Sequence, residues 1–147
     1  WQGSHPAGAG KRAMDRAFEK LFGIPDGFEG IAMMGRTDPS ILCQAMTGKG
    51  LSWSGEIQER FKKIYIGELR ATIDEPLDGK RTCPGVVELL ESLKGRTGVT
   101  SGLLTGNWEE SALIKLRHFS MASADWRALT WPKPRMSCGI CARARAF

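Results

Sequence analysis

Apolar residues recur at three- and four-residue spacing along the first half of this 147-residue chain, and that period predicts helices. Ala13, Met14, Ala17, Phe18, Leu21 and Phe22 share one face of a helix that starts near Lys11, and Gly23 and Pro25 end it. A second helix is expected from Thr37 or Asp38 to about Met46. Pro39 lies in its first turn, and Ile41, Leu42, Ala45 and Met46 form its apolar side. A third runs from about Ser54 to Ile73, with Ile57, Phe61, Ile64, Tyr65 and Leu69 inward and its Glu and Lys positions solvated. Pro84 opens a fourth helix, to which Val86, Val87, Leu89, Leu90 and Leu93 give an apolar face before Gly95 and Gly98. Val99 to Leu104 then reads as a buried strand, and a further helix runs from beyond Asn107 to about His118. A helix that returns to a buried strand suggests a parallel α/β layer beside the helical unit. Residues 120–147 keep neither period.

The length fits one domain, or a core with a small inserted subdomain. Most of the net charge of +5 belongs to the tail: residues 1–117 carry 16 Lys+Arg against 15 Asp+Glu, whereas residues 118–147 carry five Lys+Arg and only Asp125. So balanced a body argues against nucleic acid as its partner. No apolar run approaches the roughly 18–20 residues of a membrane span, and no signal peptide is visible. Cys43, Cys83, Cys138 and Cys141 do not form a secreted disulfide framework, so a cytoplasmic protein is expected. The chain opens on Trp1 rather than Met and is read as a fragment.

The stretch Gly102-Leu103-Leu104-Thr105-Gly106-Asn107 carries the most chemistry. A strand that ends in Thr-Gly-Asn and turns into a helix places a hydroxyl, unpaired backbone N–H groups and a helix N-terminus at one point, which suits a phosphate. The same residues also suit a plain turn capped by Thr105 or Asn107, with no ligand.

Several segments together resemble the haloacid-dehalogenase-like (HAD) hydrolases, in the phosphoglycolate-phosphatase-like branch. Gly8-Ala9-Gly10-Lys11-Arg12-Ala13-Met14 resembles the start of that branch's helical cap, and Gly35-Arg36-Thr37-Asp38 its cap loop. Pro84-Gly85-Val86-Val87-Glu88-Leu89-Leu90 resembles the helix that re-enters the core. Leu103-Leu104-Thr105-Gly106-Asn107 resembles the core motif whose hydroxyl binds the substrate's phosphoryl group. The resemblance implies an α/β chain: part of a Rossmann-like core with an inserted helical cap. Residues 1–10 would be an irregular lead, 11–76 the cap, 77–119 part of the core and 120–147 an irregular basic tail. It further implies a Mg²⁺-dependent phosphatase acting on a small phosphorylated metabolite. Thr105, Gly106 and Asn107 would hold the phosphate, and Gly35, Arg36 and Thr37 would sit in the loop that selects the substrate.

The departures limit what such a chain can do. The family's Asp-x-Asp-Gly-Thr nucleophile motif should precede Gly8, where this chain has Trp1-Gln2-Gly3-Ser4-His5-Pro6-Ala7. Asp26-Gly27 and Asp78-Gly79 follow no apolar run and are not substitutes. The late acidic motif is also missing, and Lys133-Pro134 is the one echo of the family's catalytic lysine. The loss of a covalent nucleophile costs roughly 10⁴-fold or more in rate, so the chain is expected to be inactive as given. The tail's Ser/Ala/Arg/Trp/Pro/Cys mixture fits an out-of-frame read, or else an authentic basic tail. Two non-enzymatic readings rest on that tail. One is a redox or metal role for Cys138-Gly139-Ile140-Cys141. The other is single-strand nucleic-acid binding through Arg127, Lys133, Arg135, Arg143 and Arg145 with Trp126 and Trp131 between them.

Overall fold

The computed structural model describes residues 8–76, 83–99, 102–119 and 127–128. Five helices account for most of them: α1 Ala9–Phe22, α2 Asp38–Gly48, α3 Gly55–Thr72, α4 Val86–Leu93 and α5 Glu109–His118. The first three start or stop for local reasons. Thr37 caps α2 by accepting from Ser40 N at 3.4 Å, and Ser54 caps α3 by accepting from Ile57 N at 3.1 Å. α1 closes on Gly23 in the left-handed region (φ 70°), where the Gly23 N–H reaches Glu19 O at 2.7 Å.

The apolar stripes of α1, α2 and α3 make the core. Met14, Phe18, Leu42, Met46, Phe61, Tyr65 and Leu69 are almost fully buried, together with Phe28 from the loop after α1. Their rings interlock. Phe18 lies 5.3 Å from Phe28 and 6.4 Å from Phe61 between centroids, both edge-on, and Phe61 stacks on Tyr65 at 6.3 Å. α5 joins this core rather than a separate layer. Trp108, just before it, sits 6.1 Å from Phe61 and 5.6 Å from Tyr65, and Lys62 of α3 pairs with Glu110 at 3.1 Å.

The expected α/β class is corrected: the described residues are mostly helical and form no Rossmann-like sheet. Their only strand pairing joins β1 Gly102–Leu103 in parallel to β2 Arg127–Ala128, two residues a side. Of the Val99 to Leu104 run, residues 100–101 lie outside the described residues, and the described ends are not buried strand, since Val99 is 45% and Leu104 74% exposed. A parallel strand is buried only when neighbours pair with both its edges and helices cover both its faces, and the described residues supply neither. For the same reason α4 keeps an apolar face but buries no residue, with Leu89 57% exposed. Among the described residues no helix is long and apolar enough to cross a membrane.

Candidate functional site

The two loops that the sequence singles out, nearly seventy residues apart, meet. The Asp38 N–H donates to Gly106 O at 2.8 Å. Gly106 lies so close to the other loop that a Cβ there would stand 2.4 Å from Arg36 O and 3.0 Å from Thr37 Cα. Only a glycine lets the two backbones approach this far.

The side chain of Asp38 completes the joint. It is 5% exposed, and its Oδ2 accepts from Trp108 N at 2.9 Å. The Ser111 hydroxyl lies 3.3 Å from the same oxygen and 2.8 Å from Trp108 O, and shares its proton between them. The first residue of α2 thereby caps the start of α5, and a carboxylate occupies the positive end of the α5 dipole. Burial raises the Asp38 pKa, an effect offset by the positive charge of Lys115 and by the bonds from Trp108 N–H and Ser111. Lys115 Nζ donates to Asn107 Oδ1. Burial lowers the Lys115 pKa, against the pull of Asp38. Tyr65, on α3 and fully buried, is pushed well up, first by burial and then by the charge on Asp38.

Within the second loop Thr105 Oγ1 accepts from Asn107 N at 3.2 Å and from Asn107 Nδ2 at 2.6 Å. The turn is therefore held by its own side chains, and the Thr105 hydroxyl keeps its hydrogen for an outside acceptor. Two N–H groups of this corner are already engaged: that of Asn107 by Thr105, and that of Trp108 by Asp38. The Thr105 O–H and the Gly106 N–H donate to no acceptor among the described residues.

The expected substrate loop has a different arrangement from the one its sequence suggests. The Arg36 guanidinium is spent inside its own loop and on α2. Nη2 donates to Ser40 Oγ at 3.0 Å and Ser40 O at 3.3 Å, and Nη1 to Ala32 O at 3.5 Å and to Gln44 Oε1. Thr37 is the α2 cap, and Gly35 turns the chain at φ 70°. The three shape the loop, and their polar atoms point into the protein's own bonds. Lys133, Cys138, Cys141 and the basic and aromatic residues of the tail lie outside the described residues.

The Mg²⁺ that the resemblance implies does not fit here. Among the described residues no group of three or more His, Cys, Asp and Glu is placed to hold a metal. Asp38 is the carboxylate at this corner, and its Oδ2 is taken up by Trp108 and Ser111. A Mg²⁺ ion takes hard oxygen ligands in near-octahedral array, and one engaged carboxylate does not supply them.

The sequence reads Asp38 only as part of the cap loop and Tyr65 only as core, and it does not single out Ser111 or Lys115. Ser111 and Lys115 are one helical turn apart on the α5 face that turns toward Asp38, and that i, i+4 pairing of polar residues on an otherwise core-facing side was the available signal. Comparison of the chain with protein-family models, curated proteins and solved structures finds no match.

Proposed function

We propose that this chain derives from a HAD-like phosphatase and that, as it stands, it binds the phosphoryl group of a small phosphorylated metabolite at Thr105–Asn107 without turning it over. The observation that carries this reading is the junction of the two loops. Thr105 and Gly106 are held rigidly against Gly35-Arg36-Thr37 with one hydroxyl and one N–H left to donate. Phosphoryl oxygens accept strongly from such donors, and a loop already ordered by its own bonds loses little entropy on binding. The same corner holds no attacking group. Asp15 is the first carboxylate in the chain, and its oxygens are used by Lys11 at 2.6 Å and by Phe28 N at 3.2 Å. A hydroxyl can orient a phosphoryl group, but without a nucleophile no covalent intermediate forms.

Titration calorimetry with inorganic phosphate tests the reading. The parent chain is expected to bind, and Thr105→Val to bind about 10- to 100-fold more weakly, the effect of one hydrogen bond to a charged acceptor. Mg²⁺-dependent hydrolysis of p-nitrophenyl phosphate is expected to stay at background for both. Equal affinity in the two proteins, no binding in either, or turnover that Thr105→Val abolishes would each contradict the proposal.

A further inference from the structure

Lys115 stands eight residues beyond Asn107, on α5, and still reaches back to it: its Nζ donates to Asn107 Oδ1. Helical side chains lean toward the N-terminus of their helix, and about two turns separate the two positions, so the end of Lys115 falls over the turn that precedes α5. Asn107 in turn faces Thr105. Its N–H donates to Thr105 Oγ1 at 3.2 Å and its Nδ2 to the same oxygen at 2.6 Å. The three residues thus form a chain of hydrogen bonds that runs from the ammonium to the hydroxyl.

The direction of these bonds is set at the lysine. An ammonium has three donors and no acceptor, and the charge of Asp38 favours that form of Lys115. The atom of the Asn107 amide that meets it must therefore be the oxygen. Nδ2 is then left on the Thr105 side, where it donates. With the Asn107 N–H donating as well, both lone pairs of the Thr105 oxygen are taken, and its one hydrogen has no acceptor inside the turn. With the amide reversed, Oδ1 would face the hydroxyl and capture that hydrogen, and the corner would lose its donor.

We propose that Lys115 and Asn107 are positioning residues for the Thr105 hydroxyl: acting in series they hold it as an obligate donor, so that it selects a proton-free oxygen such as that of an ionised phosphoryl group. The inference rests on the reading of Thr105 as the phosphate contact. Neither side chain has to reach the phosphate. Asn107 acts through its bond to the hydroxyl, and Lys115 acts through Asn107. A hydroxyl that is not so held must give up a bond within the turn before it donates to a ligand, and phosphate then binds more weakly by the value of that bond.

The experiment is a double-mutant cycle on the binding of inorganic phosphate, followed by NMR at the Gly106 amide of the full ¹⁵N-labelled chain, with the Tm of every variant alongside. Lys115→Met keeps the stem and removes the ammonium, and is expected to weaken binding about 3- to 10-fold. Asn107→Asp keeps the shape of the amide but has only acceptors, so the Thr105 hydrogen turns inward. The expected loss is about tenfold or more. In a Thr105→Val background, Lys115→Met should change the affinity by less than about twofold, and the loss from Asn107→Asp should shrink. A Lys115→Met loss of the same size in both backgrounds would mean that Lys115 draws the anion by its charge, and would overturn the proposal. So would Asn107→Asp binding phosphate as the parent does, and that comparison decides alone if Lys115→Met does not fold. Weaker binding in Thr105→Val with parent affinity in Lys115→Met and Asn107→Asp would overturn this inference and leave the phosphate reading standing. Parent affinity in Thr105→Val would remove both.

Discussion

Replacement of Asp38 by alanine is expected to cost about 2–4 kcal/mol, a large part of the stability of a domain of this size. Three losses coincide. The Trp108 N–H, packed against Phe61 and Tyr65, loses its acceptor. The Ser111 hydroxyl loses one of its two acceptors. Lys115 stays largely buried without the negative charge that favours its protonated form. Asp38→Asn keeps an oxygen at the same place and should cost less. The two variants also separate by pH. Burial raises the Asp38 pKa above its ordinary value of 3.8, so the stability linked to its protonation is fully present below 3.8 and is lost as the pH rises through the raised value. Urea denaturation as a function of pH should show this decline in the parent and not in Asp38→Asn. A loss below 1 kcal/mol in Asp38→Ala would mean that α2 and α5 are not joined through this carboxylate.

Gly106→Ala is the second large effect, at about 2–4 kcal/mol. The φ of Gly106 is not among the positive values of this chain, so alanine is acceptable there as backbone. The cost is steric. The new methyl would stand 2.4 Å from Arg36 O, a backbone atom that cannot rotate away, and the loops must part. When they part, the 2.8 Å bond from Asp38 N to Gly106 O is stretched or lost. Thermal unfolding should show a lower Tm, and phosphate affinity should fall with it, because Thr105 and Gly106 are no longer held in place. A Tm equal to that of the parent would contradict the close approach.

The helices were legible because their cause is local. Met14, Phe18, Phe61, Tyr65 and Leu69 repeat at the helical period, and Gly23 and Ser54, which end α1 and cap α3, stand next to those helices in the chain. The strand was misread because burial is not local. Val99, Leu103 and Leu104 look like a core strand in isolation, yet only two residues pair, and Leu104 faces solvent. A short apolar run records what its side chains would bury and not whether neighbours exist to bury them. Both loops of the candidate site stood out in the sequence, through Gly35-Arg36-Thr37 and Thr105-Gly106-Asn107. Their joint did not. Asp38 reads as an ordinary first-turn acid and Lys115 as an ordinary last-turn base, and each is a good residue for its helix end. Only the meeting of the start of α2 with the start of α5 brings the two charges near each other and shows a second use for both. Arg36 errs the other way: a loop arginine suggests a ligand contact, and its guanidinium is consumed by Ala32, Ser40 and Gln44.

The most direct test of the joined loops is native-state hydrogen exchange at two amides, Asp38 N–H and Trp108 N–H. The first is bonded to Gly106 O and the second to Asp38 Oδ2, so both bonds break only when the loops separate. The two amides are expected to be protected in the parent with closely similar opening free energies, and both should exchange faster in Asp38→Ala while amides at the centre of α3 remain protected. A Trp108 amide that exchanges at the unprotected rate in the parent, with Asp38 protected or not, would contradict the account.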